Sequence, residues 1–99
     1  MIYVSHLLDD VDMRDVIERT GAGVESIEFS ISENLDRLEE KIDNYEKRLE
    51  EMGCGKLVLH GPFLDLNPMA FDSLVLDATR KRYDQAYQAA ERLGAEKLV

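Results

Sequence analysis

Short apolar segments alternate with longer amphipathic segments along the whole chain. Four segments rich in β-branched, aromatic and aliphatic side chains are predicted to be strands: residues about 2–8, 24–31, 56–60 and 96–99. Three segments with apolar residues at three- and four-residue steps are predicted to be helices: residues about 13–20, 34–52 and 72–93. A glycine follows each predicted helix, as expected of a left-handed helix end.

This order, β-α-β-α-β-α-(β), indicates an α/β fold in which parallel strands are joined by right-handed helical crossovers. Residues 1–99 are predicted to be a single partial domain, the N-terminal part of a (β/α)8 barrel, because a complete barrel takes about 250 residues. The apolar run that starts at Lys97 also stops after three residues, so we expect a truncated chain. The alternative is a complete small α/β domain with a short last strand.

Charge and composition exclude several classes of partner. The net charge is −9, from 12 basic and 21 acidic residues, which argues against binding to nucleic acid or to anionic lipid. No stretch approaches the ~20 apolar residues of a membrane span. The N-terminus lacks a secretion signal, and the single Cys54 cannot form an internal disulfide. We therefore expect a cytoplasmic protein.

Residues 56–68 give the most specific motif, Lys-Leu-Val-Leu-His-Gly-Pro-Phe-Leu-Asp-Leu-Asn-Pro. This stretch resembles the third strand and following loop of the sugar phosphate isomerase/epimerase superfamily, the xylose-isomerase-like barrels that also include the endonuclease IV type. Residues 21–29 resemble its second strand, and residues 86–99 its third helix running into strand four. The resemblance implies a divalent metal (Zn, Mn, Mg or Co) and a small sugar-like substrate at the barrel mouth. Most metal ligands of that family come from strands four to eight, so residues 1–99 alone need not bind a metal.

His60 and Glu28 are the main candidates for chemistry. His60 ends the third predicted strand, where barrel enzymes place functional groups, and could bind the metal or a sugar hydroxyl. It could equally be a structural histidine bonded to the loop backbone. Glu28 is the candidate catalytic base: if Ile27 and Phe29 face the helices, Glu28 faces the barrel interior and needs a partner there. An interior polar network is the alternative role for Glu28.

His6 and Asp65 are the candidate substrate-binding residues. His6 follows the first predicted strand, but its parity matches Ile2 and Val4, so a bulge would be needed to turn it inward. Asp65 lies in the loop after the third strand and could line the mouth, although the sequence favours turn formation or helix capping for it. Asp12 is expected to cap the first helix.

The resemblance implies that this chain is the N-terminal part of a metal-dependent sugar (phosphate) isomerase or epimerase, inactive as residues 1–99 alone. One alternative is a metal-dependent phosphodiesterase of the endonuclease IV type, which the negative charge opposes. Another is a non-enzymatic, self-associating α/β module. Exposed strand edges and the apolar loop at residues 63–66 favour a homo-oligomer.

Overall fold

The computed structural model describes residues 2–99, which form an α/β fold. The strands are β1 (Tyr3–Ser5), β2 (Gly23–Ser26), β3 (Leu57–Leu59) and β4 (Lys97–Leu98). The α-helices are α1 (Asp10–Thr20), α2 (Ser32–Asp36), α3 (Leu38–Met52) and α4 (Ser73–Leu93). A single 3₁₀ turn, Glu28–Ser30, lies between β2 and α2. The predicted fold class, a parallel sheet with helical crossovers, is confirmed.

The four strands form one parallel sheet in chain order, β1-β2-β3-β4. Val24 of β2 is in register with Val4 on one side and with Leu57 on the other. Leu59 of β3 is in register with Leu98. All carboxyl ends of the strands therefore meet at one edge of the sheet, here called the carboxyl edge.

The hydrophobic core lies between the sheet and the helices. Val24, Leu57 and Leu59 point into it from alternate strand positions. The helices contribute the side chains of Met13, Ile17, Leu35, Ile42, Tyr45, Leu49, Met52, Ala89 and Ala90. All these contacts lie on one face of the sheet. The other face carries Tyr3, Glu25 and Val58, and within residues 2–99 no helix packs against it.

Tyr3 crosses this helix-free face at the amino-terminal end of the sheet. Its ring lies over Gly23 so closely that a Cβ atom there would come within 2.6 Å of it. Its hydroxyl donates a hydrogen bond to the carboxylate of Glu96, immediately before β4. Three strand spacings amount to about 14 Å on a flat sheet. A contact between the first and last strands is thus typical of a sheet that curves toward this face.

The predicted second strand, residues 24–31, is too long by five residues. β2 ends at Ser26, and the chain turns into the 3₁₀ segment at Glu28. Side chains here bond the local backbone: the Glu28 amide donates to Oγ of Ser26 at 3.1 Å, and Ser30 donates to the Ile27 carbonyl at 2.7 Å. Such local hydrogen bonds compete with the strand ladder and end it. Glu28 is consequently not an inward-facing strand residue.

The remaining boundaries differ in smaller ways. The predicted first strand, residues 2–8, is shortened to Tyr3–Ser5, and α1 starts at Asp10 because Asp9, not Asp12, is the cap. Oδ1 of Asp9 accepts a hydrogen bond from the Asp12 amide at 2.8 Å. The predicted helix 34–52 is interrupted at Arg37, whose backbone is not helical. The predicted helix 72–93 is confirmed, with Asp72 as its cap.

Candidate functional site

Five side chains with polar groups meet beyond the carboxyl ends of β1 and β2: His6, Asp10, Glu28, Tyr45 and Arg48. We call this set the Arg48 network. His6 follows β1, Asp10 begins α1, Glu28 follows β2, and the other two lie on α3. The crossover from β1 to β2 and the crossover from β2 to β3 are therefore joined at one point.

His6 is held on both ring nitrogens. Its Nε2 lies 3.0 Å from Oδ1 of Asp10, and its Nδ1 lies 2.8 Å from the Tyr45 hydroxyl. A carboxylate only accepts hydrogen bonds, so Nε2 carries a proton and donates to Asp10. In the neutral ring Nδ1 then accepts from Tyr45. The His6 side chain is only 5% exposed and faces α3. It lies on the same face of the sheet as Val4, so the bulge expected from the sequence is not needed to turn it inward.

Arg48 binds two carboxylates. Its Nε donates to Oδ2 of Asp10 at 2.7 Å, and Nη2 donates to Oδ1 of the same group at 2.9 Å. Nη1 donates to Oε1 of Glu28 at 3.2 Å. The guanidinium carbon also lies 5.1 Å from the centre of the Tyr45 ring, within reach of a cation–π interaction.

The titration behaviour of the Arg48 network follows from these contacts. Hydrogen bonding to Arg48 lowers the pKa of Asp10 below its ordinary value. The same bond to Asp10 raises the pKa of Arg48. Burial raises the pKa of the Tyr45 phenol, so this group stays protonated. The network therefore keeps a carboxylate, a guanidinium and a neutral phenol over the physiological pH range.

The contacts of the Arg48 network favour a structural role over a catalytic one. Within residues 2–99, every buried side-chain nitrogen and oxygen has a hydrogen-bond partner. Arg48 occupies both oxygens of Asp10 and one of Glu28, the same carboxylate that the sequence suggested as a base. The network ties the loops after β1 and β2 to α3 and so fixes part of the carboxyl edge.

His60 follows β3 and sits apart from the Arg48 network. Its Nδ1 lies 2.8 Å from the carbonyl oxygen of Gly61, and because a carbonyl only accepts, Nδ1 carries the proton. Nε2 is then the unprotonated nitrogen, and no group within residues 2–99 hydrogen-bonds to it. The ring of Phe63 meets the imidazole edge-on at 5.2 Å between centroids. This geometry leaves Nε2 as an acceptor for a hydroxyl or a ligand for a cation.

A cleft of about 660 Å³ opens beside His60, between the loop after β3, one flank of α4, and β4. We call it the α4 cleft. Its apolar walls include Phe63, Tyr83, Tyr87 and Leu98, and its polar groups include Arg80. A cavity of this size and apolar character is of the kind that accepts small molecules or an apolar protein surface.

Asp65 lies in the same loop but points to a different place. Its φ of 61° is left-handed, a conformation that aspartate tolerates better than most residues. It lines a separate depression with Ser30 and Leu64. The structure thus brings His6 and Glu28 into one network through Arg48, and leaves His60 and Asp65 outside it.

The metal expected from the resemblance finds few ligands here. Within residues 2–99, no three His, Cys, Asp or Glu side chains come together in an arrangement that could hold a metal ion. His60 offers one nitrogen, and a typical site needs three or four protein ligands. The described residues by themselves do not fit a complete divalent-metal site.

Three members of the Arg48 network, Asp10, Tyr45 and Arg48, were not singled out from the sequence. In the sequence, Tyr45 fits the apolar stripe of α3, and Arg48 is expected to be an exposed charged residue beside that stripe. The sequence feature that could have indicated this network is an arginine on the helix, which could pair with acidic residues that follow two of the strands. The pairing partners are 38 and 20 residues distant, beyond any local pattern.

Comparison with known protein families, with curated proteins and with solved structures gives no match for this chain. None of the helices within residues 2–99 has the length and apolar character needed to cross a membrane. Functional assignment therefore rests on the fold and on the carboxyl edge.

Proposed function

We propose that this chain supplies the first four strands of a (β/α)8 barrel of the sugar phosphate isomerase/epimerase type. Its carboxyl edge forms part of the mouth that binds a small sugar-like substrate. As part of the proposal, the barrel acts in the cytoplasm.

One observation carries the proposal: four parallel strands stand in chain order, with all crossover helices on one face. A doubly wound sheet places helices on both faces and changes strand order at a switch point. A barrel keeps the order and leaves the inner face to side chains from its own strands. The Tyr3–Glu96 contact across the helix-free face supports a curved sheet.

His60 is the residue that we assign to the substrate. It follows a strand at the carboxyl edge, where barrels bind their ligands, and its Nε2 is free to accept a hydrogen bond from a sugar hydroxyl. The nearby Phe63 ring provides an apolar surface for the C–H face of a sugar. We assign Glu28 and His6 to positioning, since both are engaged in the Arg48 network.

A metal, when bound in the intact barrel, would polarise a carbonyl or stabilise an enediolate. Because Nε2 of His60 is assigned to the substrate and no group of metal-ligating side chains is found within residues 2–99, we assign no metal ligand to the described residues. The alternative of an endonuclease IV-like phosphodiesterase gains no support, since the net charge of −9 opposes a DNA-binding mouth.

Binding of sugars to isotope-labelled protein, followed by amide chemical shifts, tests the proposal. Aldoses, ketoses and their phosphates should perturb amides at the carboxyl edge, around His60 and Phe63, and His60→Ala should abolish the perturbation. Lys56→Ala is the matched control, because Lys56 precedes the same strand at its amino-terminal end. Perturbations confined to the amino-terminal end, or none with any sugar, would contradict the assignment.

A further inference from the structure

We propose that Glu25 binds the substrate together with His60, and that one neutral polyol donates a hydroxyl hydrogen bond to each of them. The inference rests on the proposed function and deepens it, because it adds a second residue to the site and specifies two hydroxyl groups as the part of the substrate that meets this chain. Glu25 lies in β2 (Gly23–Ser26), one residue before the strand ends. It is three residues from Glu28, the glutamate expected from the sequence to be the base.

The position of Glu25 in the sheet places its side chain on the helix-free face. In the parallel register, Glu25 lies between Ser5 of β1 and Val58 of β3. Its neighbours in sequence, Val24 and Ser26, are fully buried, and Val24 belongs to the core beneath the helices. Because side chains alternate along a strand, Glu25 points to the opposite face. Strands β1 and β3 pair with both edges of β2, so no further strand can lie directly beside Glu25.

His60 stands one strand away at the same face. Its amide donates to the carbonyl of Ser26 at 2.9 Å, which continues the ladder beyond Leu59, so alternation places its Cβ on the side of Val58. Its ring lies at the carboxyl edge, where it also borders the α4 cleft. With strands about 4.8 Å apart and a rise of about 3.3 Å per residue, the Cα atoms of Glu25 and His60 are about 8 Å apart. Two side chains at this separation can contact one small molecule.

The carboxylate of Glu25 has no partner in the protein. Within residues 2–99 it forms no hydrogen bond or ion pair, whereas the carboxylate of Glu28 is bound by Arg48. Glu25 is nevertheless half-buried. Beside it, Val58 is only 7% exposed although no helix within residues 2–99 covers this face, so neighbouring side chains shield it. A partly desolvated carboxylate of this kind gains from a ligand that donates a hydrogen bond.

The two free groups define the chemistry of the ligand. Nε2 of His60 is unprotonated and accepts a hydrogen bond, and the carboxylate of Glu25 also only accepts. A molecule that bridges them must present two donors, as two hydroxyl groups of a polyol do. The side chain of Val58 offers an apolar surface to the C–H groups between those hydroxyls. A phosphate presents negative charge that Glu25 repels, so the phosphate of a sugar phosphate is expected to lie elsewhere.

Titration with a neutral aldose, followed by the methyl shifts of Val58 in isotope-labelled protein, tests the inference. Glu25→Gln replaces the carboxylate by an amide of similar shape and should weaken aldose binding by roughly tenfold, because a hydrogen bond to a charged group is lost. Its urea midpoint should not change, since the carboxylate has no protein partner to lose. Glu51→Gln is the matched control: it removes the same charge at an exposed position in the last turn of α3 and should bind the aldose as the wild type does.

The outcomes separate this inference from the proposed function. If His60→Ala abolishes aldose binding and Glu25→Gln leaves the affinity unchanged, the role of Glu25 is overturned and the proposed function stands. Methyl groups of Val58 that do not respond to the bound aldose overturn the inference in the same way. A lowered urea midpoint of Glu25→Gln assigns the residue to structure and also overturns it. If the wild type binds no aldose, the proposed function fails, and this inference fails with it.

Discussion

Replacing Arg48 by methionine should destabilise the fold by an amount that separates a partly buried ion network from a surface pair. Methionine keeps the length of the aliphatic chain and removes the guanidinium. Asp10 and Glu28, whose side chains are 34% and 25% exposed, then lose their shared cation. Exposed ion pairs contribute about 0–1 kcal/mol, and breaking a fully buried pair costs about 3–5 kcal/mol. With partial exposure and the solvent screening that goes with it, we expect a loss of about 2 kcal/mol at pH 7.

Urea unfolding followed by circular dichroism measures this loss. At the m-values usual for small proteins, about 2 kcal/mol lowers the midpoint by roughly 1–2 M urea. The matched control is Arg92→Met. Arg92 also binds two carboxylates, of Glu39 and Asp43, but all three side chains are 45% exposed or more, so little change is expected.

The effect of Arg48→Met should also depend on pH with a definite sign. The folded-state pKa of Asp10 is lowered, so its contribution is complete above the unfolded pKa, near 3.9, and is lost as the pH falls through the lower folded value. The stability difference between the two proteins should therefore shrink between about pH 5 and pH 2. If Arg48→Met costs no more than Arg92→Met, or the difference is independent of pH, the reasoning is refuted.

Three further predictions concern the sheet, the core and catalysis. Gly23→Ala should destabilise the protein by about 1–3 kcal/mol, because the added methyl group would clash with the Tyr3 ring and the Lys56 carbonyl. Gly55→Ala, which has open space around it, is the control, and equal urea midpoints for the two variants would contradict close packing of Tyr3 on Gly23. Tyr45→Phe should cost about 1–2 kcal/mol in the same assay, since Nδ1 of buried His6 loses its partner; an unchanged midpoint would show that this bond adds nothing. Residues 1–99 alone should show no turnover of aldoses, ketoses or their phosphates with Zn, Mn, Mg or Co, and robust turnover would overturn the view that the mouth is incomplete.

The fold class could be predicted from the sequence because helices and strands have different hydrophobic patterns. Apolar residues recur every three or four positions in the crossover helices, whereas the strands are short, mainly apolar segments. The helix at Ser73–Leu93 is the clearest case, with an aspartate cap, a regular stripe and a terminal glycine. The end of β2 could not be placed in the same way. Residues 26–30 alternate as a strand does, but side-chain bonds from Ser26 and Ser30 to the backbone turn the chain there.

The sequence allowed individual residues of the candidate site to be identified, but not the contacts between them. His60 could be identified because it follows a strand at a Gly-Pro loop, and its structural alternative, a bond to the loop backbone, is also present through Gly61. What joins His6 to Glu28 is Arg48, an arginine on a distant helix. A linear pattern of apolar and polar positions contains no information on which of several surface charges will meet two carboxylates across the fold.

The chain-order arrangement of the sheet has a consequence for how the protein is made. Each strand pairs with the one synthesised just before it: Gly23 with Tyr3, Leu57 with Val24, and Lys97 with Val58. A nascent chain can thus add one strand–helix unit at a time to an existing edge, without waiting for a later segment to insert between earlier ones. During elongation the outer edge of β1 and the newest strand are the two edges open to wrong partners. Tyr3 and Glu96 can meet only once β4 is in place, so their hydrogen bond should report the addition of β4 during folding.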